Sequence, residues 1–329
     1  MAYELSEKEL AMTPSQLYDL AIFEYARDKE NGCEERFVAL LRAAVKKSGG
    51  RHVRALWALA EHLSIDYETK LEAAKLYERI ANRHGDARAA YYAGYLLYYR
   101  ADKSETTRKR ALSLLTMAAE ENIAEAIEMV ATHYRIFGYS DAEGERLAAR
   151  LLKKVEDTRL FAFHTSTMGN VYDLLGHYLS EGCGCEVDPK GAFEAFETAV
   201  NYGNRVCLCD LGECYLNGFG VECDPARALE CFMETKYLAA SKYRIGYAYI
   251  YGIGAEKNEA VGIQWLKEAD ESGDADATFE LALAAIEGRG VEKDEEKGIE
   301  IMRRAFDEGS SMRAYEYLAK LFPDEFPME

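Results

Sequence analysis

Three observations predict that this 329-residue chain is all-α, a right-handed solenoid of antiparallel helix pairs. First, one phrase recurs: Glu181-Gly182-Cys183-Gly184-Cys185, Asn217-Gly218-Phe219-Gly220-Val221, Tyr251-Gly252-Ile253-Gly254-Ala255 and Glu287-Gly288-Arg289-Gly290-Val291, with first glycines 36, 34 and 36 residues apart. A fixed period in this range marks stacked copies of one supersecondary unit. Second, each phrase is followed by a helix-opening signal: Asp188-Pro189, Asp224-Pro225, Asn258-Glu259 or Asp294-Glu295. Asp or Asn caps a helix, and proline fits its first position, where no N–H is needed. Third, the chain has only 5 prolines, in keeping with a mostly helical backbone.

Taken in order, residues 1–50 read as a helical hairpin, helices 14–29 and 33–47, that covers the open end of the array with a polar outer face. Residues 51–160 hold looser pairs, with helices at 52–64, 67–82, 86–100, 105–120, 123–137 and 142–156. There Ala93-Gly94 and Ala131-Thr132-His133-Tyr134 suit first helices, while Arg100-Ala101-Asp102-Lys103 and Phe137-Gly138-Tyr139-Ser140 stand where the double-glycine turn is expected. Between them and the regular part lies the apolar Leu160-Phe161-Ala162-Phe163-His164-Thr165, read as a seam or a bend. Residues 161–321 hold regular pairs, with helices at 161–180, 189–202, 205–217, 225–237, 240–251, 259–272, 275–287, 295–308 and 311–321. Their first helices repeat Leu175-Gly176, Leu211-Gly212, Ile245-Gly246 and Leu281-Ala282, and the glycine pairs suit positive φ at a helix C-terminus. The tail, 322–329, cannot continue a helix past Pro323 and Pro327 and is expected to fold back as a small cap.

Leucine-glycine, a tyrosine, G-x-G-V, an acidic cap and a small-residue second helix together resemble the Sel1-like repeat, a relative of the tetratricopeptide repeat. The resemblance is specific over roughly 165–320 and looser upstream. It implies an adaptor that organises complexes, since few members of that family are catalytic. Some members bridge the two helices of a repeat through regularly paired cysteines, but here neither Cys214 nor Cys231 recurs in the next repeat.

The formal net charge is −18 from 40 basic and 58 acidic residues, without a basic cluster, which disfavours a nucleic-acid partner. No apolar run approaches the roughly 20 residues that cross a bilayer, and Met1-Ala2-Tyr3-Glu4-Leu5-Ser6-Glu7-Lys8-Glu9 lacks a signal peptide's basic-then-apolar order. No membrane partner and a cytoplasmic location are expected.

Seven of the eight cysteines fall between Cys183 and Cys231. Cys207 occupies the slot of Ser241 and Ala277, Cys209 that of Tyr243 and Phe279, Cys214 that of Ala248 and Ala284, and Cys231 that of Trp265 and Ile301. This register reads them as reduced core thiols, so no metal and no cofactor are expected. The alternative is a cysteine-dependent hydrolase or a thiol or metal site using the 183–231 cluster. P-loop, nucleophile-elbow and zincin motifs are absent, and no enzyme is expected. His133 and His177 qualify as site residues only if an acid or thiol faces them.

The expected function is that of a non-catalytic scaffold binding a protein or peptide segment, favoured to be basic, on the concave face of the solenoid. Helical periodicity turns Arg88, Tyr92, Tyr95, Tyr99, His177, Asp210, Glu213, Asn217, Arg244, Tyr247, Tyr251, Glu280 and Glu287 away from the packed slots and towards that face. Tyrosines supply anchor area and acids supply steering. Self-association through an end or the same face is a third reading.

Overall fold

A computed structural model describes residues 3–27, 34–100, 104–137, 141–157, 165–307 and 311–326. All seventeen expected helices form, and the described residues contain no strand. The segment at 160–164, read as a seam or bend, lies outside the described residues. Two differences have local causes. A further helix, α1 (Glu7–Ala11), opens the chain because Ser6 and Glu9 form a capping box, with the Ser6 N–H donating to Glu9 Oε2 at 2.8 Å. The helix expected at 225–237 stops at Glu234, because Thr235 turns its hydroxyl onto the Cys231 carbonyl at 3.0 Å and onto Ser241 Oγ at 2.7 Å.

The chain divides into two compact units, Met1–Thr167 and Met168–Glu329. In the first, α2 (Pro14–Arg27) pairs with α3 (Glu34–Lys47), α4 (Val53–Leu63) with α5 (Lys70–His84), α6 (Ala87–Arg100) with α7 (Glu105–Glu120) and α8 (Ala124–Phe137) with α9 (Ala142–Asp157). Leu17, Leu40, Leu41, Leu56, Ile80, Leu115, Ile127, Leu151 and Leu152 form its fully buried core. Gly94 lets α6 and α7 close in, since a Cβ there would lie 2.7 Å from Leu115 Cγ.

In the second unit α10 (Thr165–Glu181) precedes α11 (Pro189–Asn201), α12 (Cys207–Asn217) pairs with α13 (Pro225–Glu234), α14 (Ala239–Tyr251) with α15 (Glu259–Glu271), and α16 (Ala275–Glu287) with α17 (Glu295–Asp307). The last helix, α18 (Met312–Leu321), covers the end, and beyond it Phe322 and Phe326 pack back onto the core around Met302 and Leu318.

The recurring turn of this unit has two glycines with different tasks. The first is the left-handed cap of the first helix: Gly218, Gly252 and Gly288 adopt φ of 67°, 71° and 78°. The second touches the preceding repeat, so that a Cβ on Gly254 would lie 2.1 Å from the Pro225 carbonyl oxygen and one on Gly220 2.0 Å from that of Pro189. Each turn closes onto its own first helix, as when the Asn258 N–H donates to the Tyr249 carbonyl at 2.8 Å. Asp188, Asp224, Asn258 and Asp294 then cap the second helices, accepting from the backbone N–H three residues on at 3.0–3.2 Å.

Candidate functional site

Even-numbered helices open the repeats, and the thirteen expected site residues all lie on them. In the first unit four are on α6. Tyr92 stacks on Tyr77 at 5.3 Å and meets Trp57 edge-on at 6.0 Å, so its ring belongs to the seam with the preceding helix pair. Arg88 lies over Trp57 at 5.8 Å. Tyr95 and Tyr99 adjoin each other at 5.0 Å and remain 38 % and 58 % exposed. On the next first helix, α8, His133 is buried and lies 3.0 Å from the Tyr98 hydroxyl. Burial first, and then Arg108, push its pKa down. It is a packing residue by its contacts, with aromatic neighbours Tyr98, Tyr134 and Phe137.

In the second unit the expected residues fall into a polar ladder joining each first helix to the next. His177 on α10 lies 3.8 Å from Asp210 on α12. Glu213 on α12 accepts from Arg244 Nε on α14 at 2.5 Å. Tyr251 on α14 donates to Glu280 Oε2 on α16 at 2.9 Å, and Arg313 Nη2 on α18 donates to Glu280 Oε1 at 2.7 Å. Glu280, only 2 % exposed, is therefore the buried hub of two rungs rather than a surface acid. Tyr247 leans on Tyr251 with ring centroids 4.4 Å apart, and the Asn217 side chain caps its own helix on the Glu213 carbonyl at 3.0 Å. Glu287 forms a local ion pair with Arg289, whose Nη1 reaches the Tyr251 hydroxyl at 2.5 Å. Each inter-helix rung spans about one repeat in sequence because the same slot recurs on successive first helices.

Sequence reasoning missed Arg313, which lies 4.2 Å over the Phe279 ring and donates to Tyr243 at 3.2 Å. It also missed the partners of His177. Asp173 Oδ1 lies 3.4 Å from His177 Nε2, and Glu181 faces the other ring nitrogen at 3.6 Å. Cys207, read as a core thiol, is fully buried, but its Sγ donates to Asp173 Oδ1 at 3.2 Å. The condition that an acid or thiol face His177 is thus met by an acid, Asp210 on the neighbouring first helix. A signal was present: Asp173 and His177 are four apart and Cys207 and Asp210 three apart, spacings that put each pair on one helical face.

Four cysteines, Cys207, Cys209, Cys214 and Cys231, have the electrostatics of thiols that stay protonated. None of the seven described cysteines forms a disulfide. Burial raises the thiol pKa of Cys207, Cys209 and Cys231, with neighbouring acids adding to it, and pushes Cys214 up to about 11. A nucleophilic cysteine needs the opposite shift.

The Sel1 repeat family model matches residues 87–123, 206–232, 239–274 and 275–310. Four stretches of the chain thus match the Sel1 repeat. One of them, at 87–123, lies in the looser half, and the pair at 165–201, whose turn holds Cys183-Gly184-Cys185, is not among the matched stretches. The fold is that of two solved Sel1-type structures. A protective antigen present in uropathogenic Escherichia coli strains, displaying an SLR fold, superposes with a TM-score of 0.63 at 17 % identity over 98 % of this chain and 68 % of its own. A Sel1 repeat protein from Oxalobacter formigenes gives 0.59 at 18 % identity, over 94 % and 86 %. In sequence, chitin synthase regulatory factor 3 of Schizosaccharomyces pombe is 28 % identical over 145 residues, 41 % of this chain. The aligned segment spans only 15 % of that protein's length. Sel1 repeat proteins generally serve as protein-interaction scaffolds. No helix among the described residues is long and apolar enough to cross a membrane.

Proposed function

We propose that this chain is a non-catalytic scaffold that holds a protein or peptide segment along the face made by its first helices. The supporting observation is the ladder of the second unit. Rungs from α10 to α18 orient side chains of successive repeats without loops, so an extended segment meets a row of groups already held in place, at little ordering cost. Tyr247 and Tyr251 offer aromatic anchors, and Asp210, Glu213, Glu181 and Glu287 give the row an acidic character that selects basic segments. Tyr95 and Tyr99 offer a separate aromatic patch on the first unit. The regulatory role printed for the fission-yeast relative agrees with a protein partner. A reducing compartment such as the cytoplasm is part of this reading, because Cys207 and Cys214 serve as buried thiols.

The test is affinity capture from lysate of the native cell with immobilised wild-type chain beside a Tyr95→Ala, Tyr99→Ala, Tyr247→Ala variant of unchanged helicity. Retention by wild type and loss by the variant is the expected result. Equal retention moves the binding surface off the first-helix face. Light scattering on the purified chain distinguishes capture of a partner from self-association.

A further inference from the structure

The first rung of the ladder differs in kind from the others. Where Glu213 meets Arg244 and Glu280 meets Arg313, an acid faces a cation. Between α10 and α12, two carboxylates face an imidazole and a thiol, so every group in the rung carries lone pairs. We propose that Asp173, His177, Cys207 and Asp210 form a binding site for a single divalent ion of the zinc type.

Geometry carries this. One ligand atom each from Asp173, Cys207 and Asp210 lies within 4.8 Å of the other two. Cys207 Sγ is 3.2 Å and His177 Nε2 3.4 Å from the same Asp173 Oδ1, and His177 Nε2 is 3.8 Å from Asp210 Oδ1. A tetrahedral ion with bonds of about 2.0–2.3 Å separates its ligands by roughly 3.3–3.7 Å, so Asp173, Cys207 and Asp210 have to close in by up to about an ångström, and His177, which borders both carboxylates but lies outside that mutually close set, completes the tetrahedron by a turn of its side chain. The donors sit on two helices rather than on loops, in pairs four and three residues apart that each share a helical face. The set is also selective: thiolate and imidazole favour zinc-type ions over magnesium and calcium, which prefer oxygen alone.

Without metal, the Cys207 proton lies on the line to Asp173. Its thiol pKa is raised by burial, and further by the Asp173 and Asp210 carboxylates, which keeps the proton in place. On binding, the metal takes that position. The S–H bond breaks, the sulfur lone pair forms the S–metal bond, and one proton leaves to solvent, so affinity falls as the solution is acidified. The bound ion ties α10 to α12, a pair of first helices that no arginine rung joins. Metal binding thus acts as a clip at the start of the polar ladder.

The test uses the purified full chain, stripped with chelator and titrated with Co2+, which reports a thiolate ligand by a sulfur-to-metal charge-transfer band and a tetrahedral site by intense visible bands. One equivalent is expected to give both, and Zn2+ to displace it. Cys207→Ala should abolish the charge-transfer band while keeping the fold, since Ala277 and Ser241 fill the same slot in sister repeats. His177→Ala should keep the band but weaken binding by more than the roughly 10–100-fold that loss of a supporting partner costs. Cys223→Ser, at an exposed turn, should change neither. No charge-transfer band in the wild type overturns the proposal, as does a band that survives Cys207→Ala or an affinity indifferent to His177→Ala.

Discussion

The two units link their first helices with different chemistry, although ion pairs join second helices in both, as Arg304 on α17 to Asp270 on α15 shows in the second unit. In the first unit the long-range ion pairs run along the second helices: Arg42 to Glu72, Arg110 to Glu78 and Arg150 to Glu120 join α3, α5, α7 and α9. Its first helices meet through rings, Trp57 on Tyr92 and Tyr98 on His133. In the second unit the first helices carry the charge, from Glu213–Arg244 to Glu280–Arg313. Turns differ by position. Gly85 at the end of α5, like Gly273 after α15, is left-handed with open space around its would-be Cβ, whereas Gly254, in the double-glycine turn after a first helix of the second unit, presses on the neighbouring repeat. Sel1-type regularity therefore lies in inter-repeat contacts more than in the helices, which form equally well in both units.

The largest effect that sharpens this comparison is at the turns. Gly254→Ala has to tolerate φ of 73° and a carbonyl at 2.1 Å, which separates α13 from the turn after α14. The expected cost is about 3 kcal/mol or more, from left-handed strain plus a displaced backbone. Gly85→Ala carries strain without the clash and should cost about 1 kcal/mol. Thermal melts followed by circular dichroism check both, and equal costs would mean that the second glycine serves its own turn and not the neighbouring repeat.

Next come the rungs. Glu280→Ala leaves the Tyr251 hydroxyl and the Arg313 guanidinium without their buried acceptor, at an expected cost of about 2 kcal/mol. In the first unit, Arg110→Ala removes a pair whose arginine is 53 % exposed, and the loss should stay within about 1 kcal/mol. Hydrogen exchange read separately over α6–α8 and α14–α16 assigns each loss to its unit. A Glu280 variant as mild as the Arg110 variant would break the contrast.

The repeat architecture was legible because its signals are local. Four double-glycine turns and four Asp or Asn caps each determine backbone conformation within a few residues, and the structure reproduces them. What the sequence concealed depends on registering one repeat against the next. Glu280 read as a surface acid because its own helix places it off the packed slots; Arg313, 33 residues on, buries it. Cys207 read as core because Ser241 and Ala277 fill its slot, yet Asp173 in the preceding repeat gives its sulfur a polar partner. Tyr92 shows the converse, an expected binding residue that Trp57 and Tyr77 draw into a seam. The short α1 was available from Ser6 and Glu9 but is too brief for periodicity to reveal.

The smallest expected effect concerns acid. Burial pulls the Glu120 carboxyl upward, but hydrogen bonds from Arg150 at 2.6 Å and Lys154 at 3.2 Å outweigh it and hold the group below its ordinary value. A depressed carboxylate contributes stability above its unfolded pKa of about 4.3 and loses it as pH falls towards the folded value. With Glu120 35 % exposed, solvent screening limits the contribution to a few tenths of a kcal/mol. Glu120→Gln should therefore lower stability slightly at neutral pH and flatten the acid limb of the pH–stability curve for α7–α9, leaving α14–α16 unchanged. A flattening in both regions would show that the Glu120 ion pairs are not confined in their effect to the first unit.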